Sequence, residues 1–372
     1  MVEKKKRLSN FELMRIISMF LIVQWHVIQH TNALYNTSYT LNFIISFIFI
    51  ITSIHVNSFV LVTGYFQYNK KFNYKKVLKL IGQVLFYNVL FVLVDIFIFK
   101  ENVDLLYILE NTSFLNINNY WFINTYLILY LISPFLNKYT EHAEQKEYKR
   151  LLIIFFICID LIPFITRQRT FSNNGLTLIG FIFLYLLGAY FAKYPIKETH
   201  FFKEMSKNKR QLYFLCAFIL IGILNFVNYR FGLNLEKTSE NPVLNSIGKT
   251  ISNAVIGFNN PFVFLESVMY FLFFETLTIE SKLINKISAA TFGIYLAHEN
   301  RVIFTHVYDM FLGKITETTT CRVLPKMLLF AVILFTAGLI IELTRKLITY
   351  LLCKLKPVQK MTNKIYNYIE NI

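Results

Sequence analysis

Apolar runs of about twenty residues recur along the whole length of this 372-residue chain, separated by short polar breaks. A helix rises ~1.5 Å per residue, so ~20 apolar residues cross a ~30 Å hydrocarbon layer. Ten such runs are read, roughly at 11–30, 41–66, 77–99, 120–137, 151–166, 176–192, 211–229, 255–277, 287–311 and 327–350. With 55% hydrophobic and only 16% charged residues, this is the pattern of an all-α, polytopic membrane bundle rather than a soluble enzyme. The chain reads as one membrane domain, 1–372, with its core at about 10–350 and a short basic C-terminal tail. Two runs are interrupted: the fifth near "DLIPF", and the eighth around "ISNAVIGFNNPF", where Gly257 and Pro261 predict a broken or re-entrant entry.

A net charge of +16 would point to nucleic acid in a soluble protein, but here the cations sit in the breaks between apolar runs. Alternate breaks hold 26 and nine Lys and Arg residues, and three more lie within the runs (Arg15, Lys79 and Arg301). This asymmetry predicts both termini on the cytoplasmic side and an even number of spans, with membrane lipid rather than nucleic acid as the partner. Arg167 and Arg169 fall on the opposite side, as headgroup contacts or as an anion or sugar contact at the outer mouth. The lysines at 203–210 read as a solvated loop on anionic lipid. The N-terminus imitates a signal peptide, but no small-residue cleavage site follows, so a retained first helix is expected. Cys158, Cys216, Cys321 and Cys353 have neither zinc nor disulfide spacing, and no metal site is expected.

The first run contains "RIISMFLIVQWH", with Arg15 and His26 eleven residues apart. Eleven steps of ~100° return to within ~20° of the start, so both lie on one helix face about 16 Å apart. His30, four residues on, shares that face, and Gln24 adds polarity nearby. An imidazole at membrane depth either hydrogen-bonds a neighbouring helix or faces a hydrated cavity, where it suits the work of a general base. A cation near the cytoplasmic rim is a topology anchor or a contact for a phosphate-bearing cofactor. The ninth run holds a second cluster, His298, Glu299 and Arg301, as an internal ion pair, as an outer-interface cluster or as support for His26. Asp95, Glu266 and Glu275 are carboxylates at membrane depth, of which about one is expected to support a site and the rest to join helices. Tyr120 and Trp121 open the fourth run, where interfacial anchoring is expected in preference to the alternative of sugar stacking.

These residues resemble the membrane acyltransferase-3 family, whose first helix carries a cation, ten residues and a histidine, matched here by Arg15 and His26. "NSFVLVTGYF" (Asn57 to Phe66), "YWFINTYLILYLISPFLN" (Tyr120 to Asn137) and "TFGIYLAHE" (Thr291 to Glu299) are similar to further segments of that family, in the same order. The resemblance implies transfer of an acyl group, usually acetyl, from cytoplasmic acyl-coenzyme A to a hydroxyl of a surface polysaccharide or its lipid-linked precursor. It implies a catalytic role for His26 together with Arg15; apart from the resemblance, the polar cluster of the ninth run offers Glu299 or His298 to orient His26 or bind the acceptor. Coenzyme binding would fall to Arg15, Lys75, Lys76 and Lys79, with acyl-coenzyme A as a co-substrate rather than a tightly bound cofactor. Lysines stand where arginines often occur, which keeps the charge and loses the bidentate fork for phosphate, and Thr63 replaces a common serine. His26 could deprotonate the acceptor or carry the acyl group transiently. A flippase for a lipid-linked oligosaccharide is the competing reading; it predicts internal repeats, and none is evident.

Overall fold

The computed structural model describes residues 7–34, 39–113, 120–166, 173–312, 322–357 and 359–360. These are helical throughout, with no strand among the described residues. Arg167, Arg169 and Cys321 lie outside the described residues.

The chain begins with α1 (Ser9–His30), then α2 (Tyr39–Thr52) and α3 (His55–Gln67), which are separated by a two-residue turn at Ser53 and Ile54. Next come α4 (Tyr74–Val94), continued by a π-helical turn at Asp95–Phe99, α5 (Leu105–Thr112) and α6 (Trp121–His142). The fifth apolar run is α7 (Gln145–Phe155), a π-helical turn at Phe156–Leu161 and α8 (Ile162–Thr166). Then follow α9 (Leu178–Lys193), α10 (His200–Lys203), α11 (Lys207–Thr238), α12 (Pro242–Val255) and α13 (Pro261–Thr276). The ninth run divides into α14 (Lys282–Ser288), α15 (Thr291–His298), a π-helical turn at Ile303–Val307 and α16 (Tyr308–Leu312), and α17 (Val323–Leu352) completes the bundle.

All ten apolar runs are therefore helical through most of their length. Among the described residues, five stretches are long and apolar enough to cross a membrane: Ser9–His30, Thr40–Gln67, Tyr74–Phe99, Lys207–Thr238 and Val323–Leu352. Several others are shortened for local reasons. The broken entry expected near Pro261 is present: Asn260 accepts a bond from the Phe262 amide, and proline at the first helical position starts α13 afresh. The interruption expected near "DLIPF" is the turn around buried Asp160, just before Pro163.

Helix α1 packs against α2, α3, α13, α14, α15 and α17, so its faces are addressed by most of the bundle. Its N-terminal end is tied down by polar contacts: Ser9 Oγ donates to Asn285 Oδ1 at 3.0 Å, and Asn10 Nδ2 to the Phe274 carbonyl at 2.9 Å. Helix α3, which packs on α1, meets α9 almost backbone to backbone. A Cβ at Gly64 would lie 2.0 Å from the Tyr185 carbonyl oxygen, and one at Gly188 would lie 2.1 Å from that of Leu61. Only glycine allows such a crossing, which gives the "VTGYF" segment its structural role.

Candidate active site

A cavity of about 1370 Å³ runs along one face of α1. Leu8, Glu12, Arg15, Met19, Ile22, His26 and Gln29 line it, at the alternating spacing of three and four residues that marks a single helical stripe. The wall extends from Arg7 to His30, which at ~1.5 Å per residue is a path of about 35 Å. The shared face read from "RIISMFLIVQWH" is the wall of this chamber, with Arg15 toward one end and His26 toward the other.

At the His26 end, helix α15 stops at His298, and Glu299 sits in the irregular turn beyond it. That turn is pinned from α6: Tyr120 Oη donates to the Leu296 carbonyl at 2.8 Å and accepts from Asn300 Nδ2 at 2.9 Å. Asn300 Oδ1 in turn accepts from the Val302 amide at 3.0 Å, starting the next helical turn. Tyr120 thus sits at 2% exposure as a tertiary bracket, not at an interface. Trp121 also departs from the interfacial reading: it lines the cavity and stacks on Phe258, centroids 6.3 Å apart.

The bracket delivers two side chains to His26. Glu299 Oε2 lies 2.8 Å from His26 Nδ1, and His298 Nε2 lies 3.0 Å from the same nitrogen. The partners assign the protons. His298 Nδ1 is 2.7 Å from the Ile294 carbonyl, which only accepts, so His298 carries its proton there and presents a lone pair at Nε2. His26 Nδ1 then faces two acceptors and must be the donor. His26 Nε2 is left with its lone pair and no partner among the described residues, on a ring that lines the cavity. This is the arrangement that prepares an imidazole as a base: a carboxylate holds one nitrogen in the donor form and stabilises the cation that forms when the other takes a proton. His30 Nε2 approaches Glu299 more distantly, at 3.5 Å.

The donor atoms of His26, His298 and Glu299 also fall within 4.8 Å of one another, a span that could hold a divalent ion. Ligands ~2.0–2.1 Å from a tetrahedral zinc sit roughly 3.3 Å apart. The spacings of 2.8 and 3.0 Å are those of a shared proton, and hydrogen bonding accounts for every contact.

The other end of the cavity is cationic. Arg7, Arg15, Lys70, Lys76 and Lys79 line it. Arg15 Nη1 pairs with Glu12 Oε1 at 3.1 Å, and its guanidinium lies over the Phe66 ring at 5.5 Å. Glu12, unremarked in the sequence, is itself held by the Ser288 hydroxyl at 2.5 Å. Lys76 reaches Gln67 Oε1 at 3.5 Å. Lys75, grouped in the sequence with Lys76 and Lys79, is exposed and does not line the chamber.

Several polar residues expected near the chemistry lie elsewhere. Arg301 is exposed rather than paired with Glu299. Asp95 accepts from Tyr107 Oη and meets His306 Nε2 at 3.1 Å, joining the π-helical turns of the third and ninth runs. Burial and this bond push the Tyr107 phenol up to about 12. Glu266 is fully buried against Gly222, and Glu275 is half-buried near the end of α13. None of the three carboxylates lines the cavity. Glu342 is a further residue that sequence reading missed: it accepts from Arg345, Gln83 and Tyr87, and so steadies the Gln83 side of the cavity wall.

No curated protein and no solved structure matches the chain. Its sequence does match a family described as an acyltransferase domain over residues 8–344, a stretch that takes in α1, every cavity-lining residue but Arg7, and the Glu299 turn. The chain belongs to the acyltransferase-3 family.

Proposed function

We propose that this chain is a membrane O-acyltransferase that moves an acyl group, typically acetyl, from cytoplasmic acyl-coenzyme A to a hydroxyl of a surface polysaccharide or its lipid-linked precursor. The proposal includes ten membrane crossings in the cell membrane with both termini in the cytoplasm, which would set the cationic end of the cavity at the cell interior. The observation that carries it is a single chamber with cations at one end and the His26–Glu299 pair at the other. The phosphates of the donor would meet Arg15, Lys76 and Lys79, and its pantetheine arm would run along the α1 stripe, setting the thioester beside His26.

In this reading His26 Nε2 takes the proton of the acceptor hydroxyl as its oxygen attacks the thioester carbonyl. The C–O bond forms, the C–S bond breaks, and the imidazolium returns the proton to the departing thiolate. Glu299 stabilises the imidazolium between those events. Ligand sites usually occupy ~300–1000 Å³, so a chamber of about 1370 Å³ has room for donor and acceptor together, which supports direct transfer over a histidine-bound intermediate.

The test is acylation of the host's surface glycan in cells carrying wild type, His26→Ala or Arg15→Ala at matched protein levels, with acetyl-coenzyme A consumption by purified protein. Loss of acylation with glycan export intact is expected for both variants. Failed export with acylation intact would replace this reading with that of a flippase.

A further inference from the structure

Besides His26 and His30, a third histidine faces the same chamber and is not accounted for by the chemistry above. His55 opens α3, immediately after the turn at Ser53 and Ile54 that interrupts the second apolar run. It is 2% exposed, yet it forms part of the cavity wall. Its Nδ1 lies 2.5 Å from the Thr52 carbonyl, so the proton resides on Nδ1 and the lone pair on Nε2. Nε2 makes no hydrogen bond to a described residue, and it is not among the partnerless side-chain atoms sealed from solvent, so it opens to the chamber. The ring is held by packing on two sides, with Trp25 at 5.5 Å and Phe258 at 5.3 Å between centroids. Trp25 also touches the His26 ring, at 5.4 Å, so one indole spaces the two imidazoles.

Both rings therefore have their Nδ1 occupied as a donor and their Nε2 left as an acceptor, but their surroundings differ. His26 has a carboxylate behind it and is built to take a proton. His55 has a backbone carbonyl behind it and aromatic rings beside it, with no carboxylate bonded to it, and is built to stay neutral. A locked lone pair on the wall of an open chamber is met by water until a ligand donor displaces it, and a ligand hydroxyl is such a donor.

Resting on the acyltransferase reading, we propose that His55 is an acceptor-binding residue: its Nε2 receives a hydrogen bond from a second hydroxyl of the acceptor while His26 acts on the hydroxyl that is acylated. The acceptor class this selects is a polyol, such as a sugar ring, with two hydroxyls spaced to reach both imidazoles. A lone alcohol satisfies only one of them.

The test compares His55→Phe, which keeps a flat ring without the lone pair, with His55→Gln, which restores an acceptor. Two quantities are measured: acetyl-coenzyme A binding to purified full-length protein, and the acyl content of the surface glycan in the protein's own host at matched expression. His55→Phe is expected to bind acetyl-coenzyme A within twofold of wild type while glycan acylation falls at least tenfold, and His55→Gln to return acylation to within threefold of wild type. The proposal is overturned if His55→Phe acylates normally, if donor binding falls in step with acylation, or if His55→Gln is as defective as His55→Phe. Failure of the wild type to bind acetyl-coenzyme A or to acylate the glycan would instead sink the acyltransferase reading, and this proposal with it.

Discussion

The carboxylate of Glu299 lies 2.8 Å from Nδ1 of His26, although 272 residues and most of the bundle separate them along the chain. It is brought there because α15 ends at His298, one residue before it. Glu299→Gln keeps the size of the side chain but loses the charge that stabilises an imidazolium, so turnover should fall ~10²- to 10⁴-fold with donor binding preserved. His26→Ala should fall at least as far. Paired kcat and donor-binding measurements on the two variants check this; an active Glu299→Gln enzyme would remove Glu299 from the mechanism.

Metal removal separates shared-proton chemistry from ligation at the same three side chains. Because the spacings around His26 Nδ1 are those of hydrogen bonds, dialysis against a strong chelator should leave acetyl-coenzyme A consumption within twofold of the untreated protein. Loss of activity restored by one divalent ion would show that a cation, not a proton, joins His26, His298 and Glu299.

One chamber for both substrates makes a kinetic statement. Initial rates with donor and acceptor varied together should give intersecting double-reciprocal lines, and labelled acetyl-coenzyme A alone should leave no label on the protein. Parallel lines, or acyl-histidine at position 26 in peptide mapping, would establish the two-step route.

At the cationic end, Lys76 and Lys79 line the cavity and Lys75 does not. Lys76→Ala and Lys79→Ala should each raise the KM for acetyl-coenzyme A about tenfold, or ~1.4 kcal/mol, with the effect shrinking as salt rises. Lys75→Ala should stay within twofold. A scan of all three at low and high ionic strength tells placement on the wall from charge in the loop.

The crossing of α3 and α9 has no room for a methyl group. Gly64→Ala would force a shift of backbone rather than of a side-chain tip, at ~2 kcal/mol or more, and should lower the thermal midpoint in detergent by several degrees. Gly82, whose added Cβ would meet nothing within 4 Å, is the control, and Gly82→Ala should be neutral or slightly stabilising.

What the sequence disclosed and what it hid divide along a physical line. The Arg15–His26 relation was legible because a helix fixes it locally, and the stripe that the cavity follows is the same periodicity continued. The helical nature of the apolar runs was equally legible, since hydropathy reports the solvent. It does not report continuity: the 41–66 run reads as one span although Thr52, Ser53, His55, Asn57 and Ser58 punctuate it, and the turn at Ser53 and Ile54 that sets His55 at the start of α3 is a feature of the fold. The ninth run displayed His298, Glu299 and Arg301 as neighbours, yet the turn after α15 sends the first two to His26 and leaves Arg301 exposed. That divergence depends on the phenol of Tyr120, some 180 residues away, and no local pattern announces such a partner.

The stripe on α1 has one more implication. Because Arg15 and His26 belong to the same unbroken helix, their separation is a property of covalent geometry and does not change when neighbouring helices rock or part. The bundle can breathe to admit an acceptor while α1 serves as a fixed gauge, holding donor clamp and base in register throughout. A single residue inserted between Met19 and Ile22 would turn one end of that gauge by ~100° relative to the other and leave the protein with two intact half-sites that no longer face the same substrate.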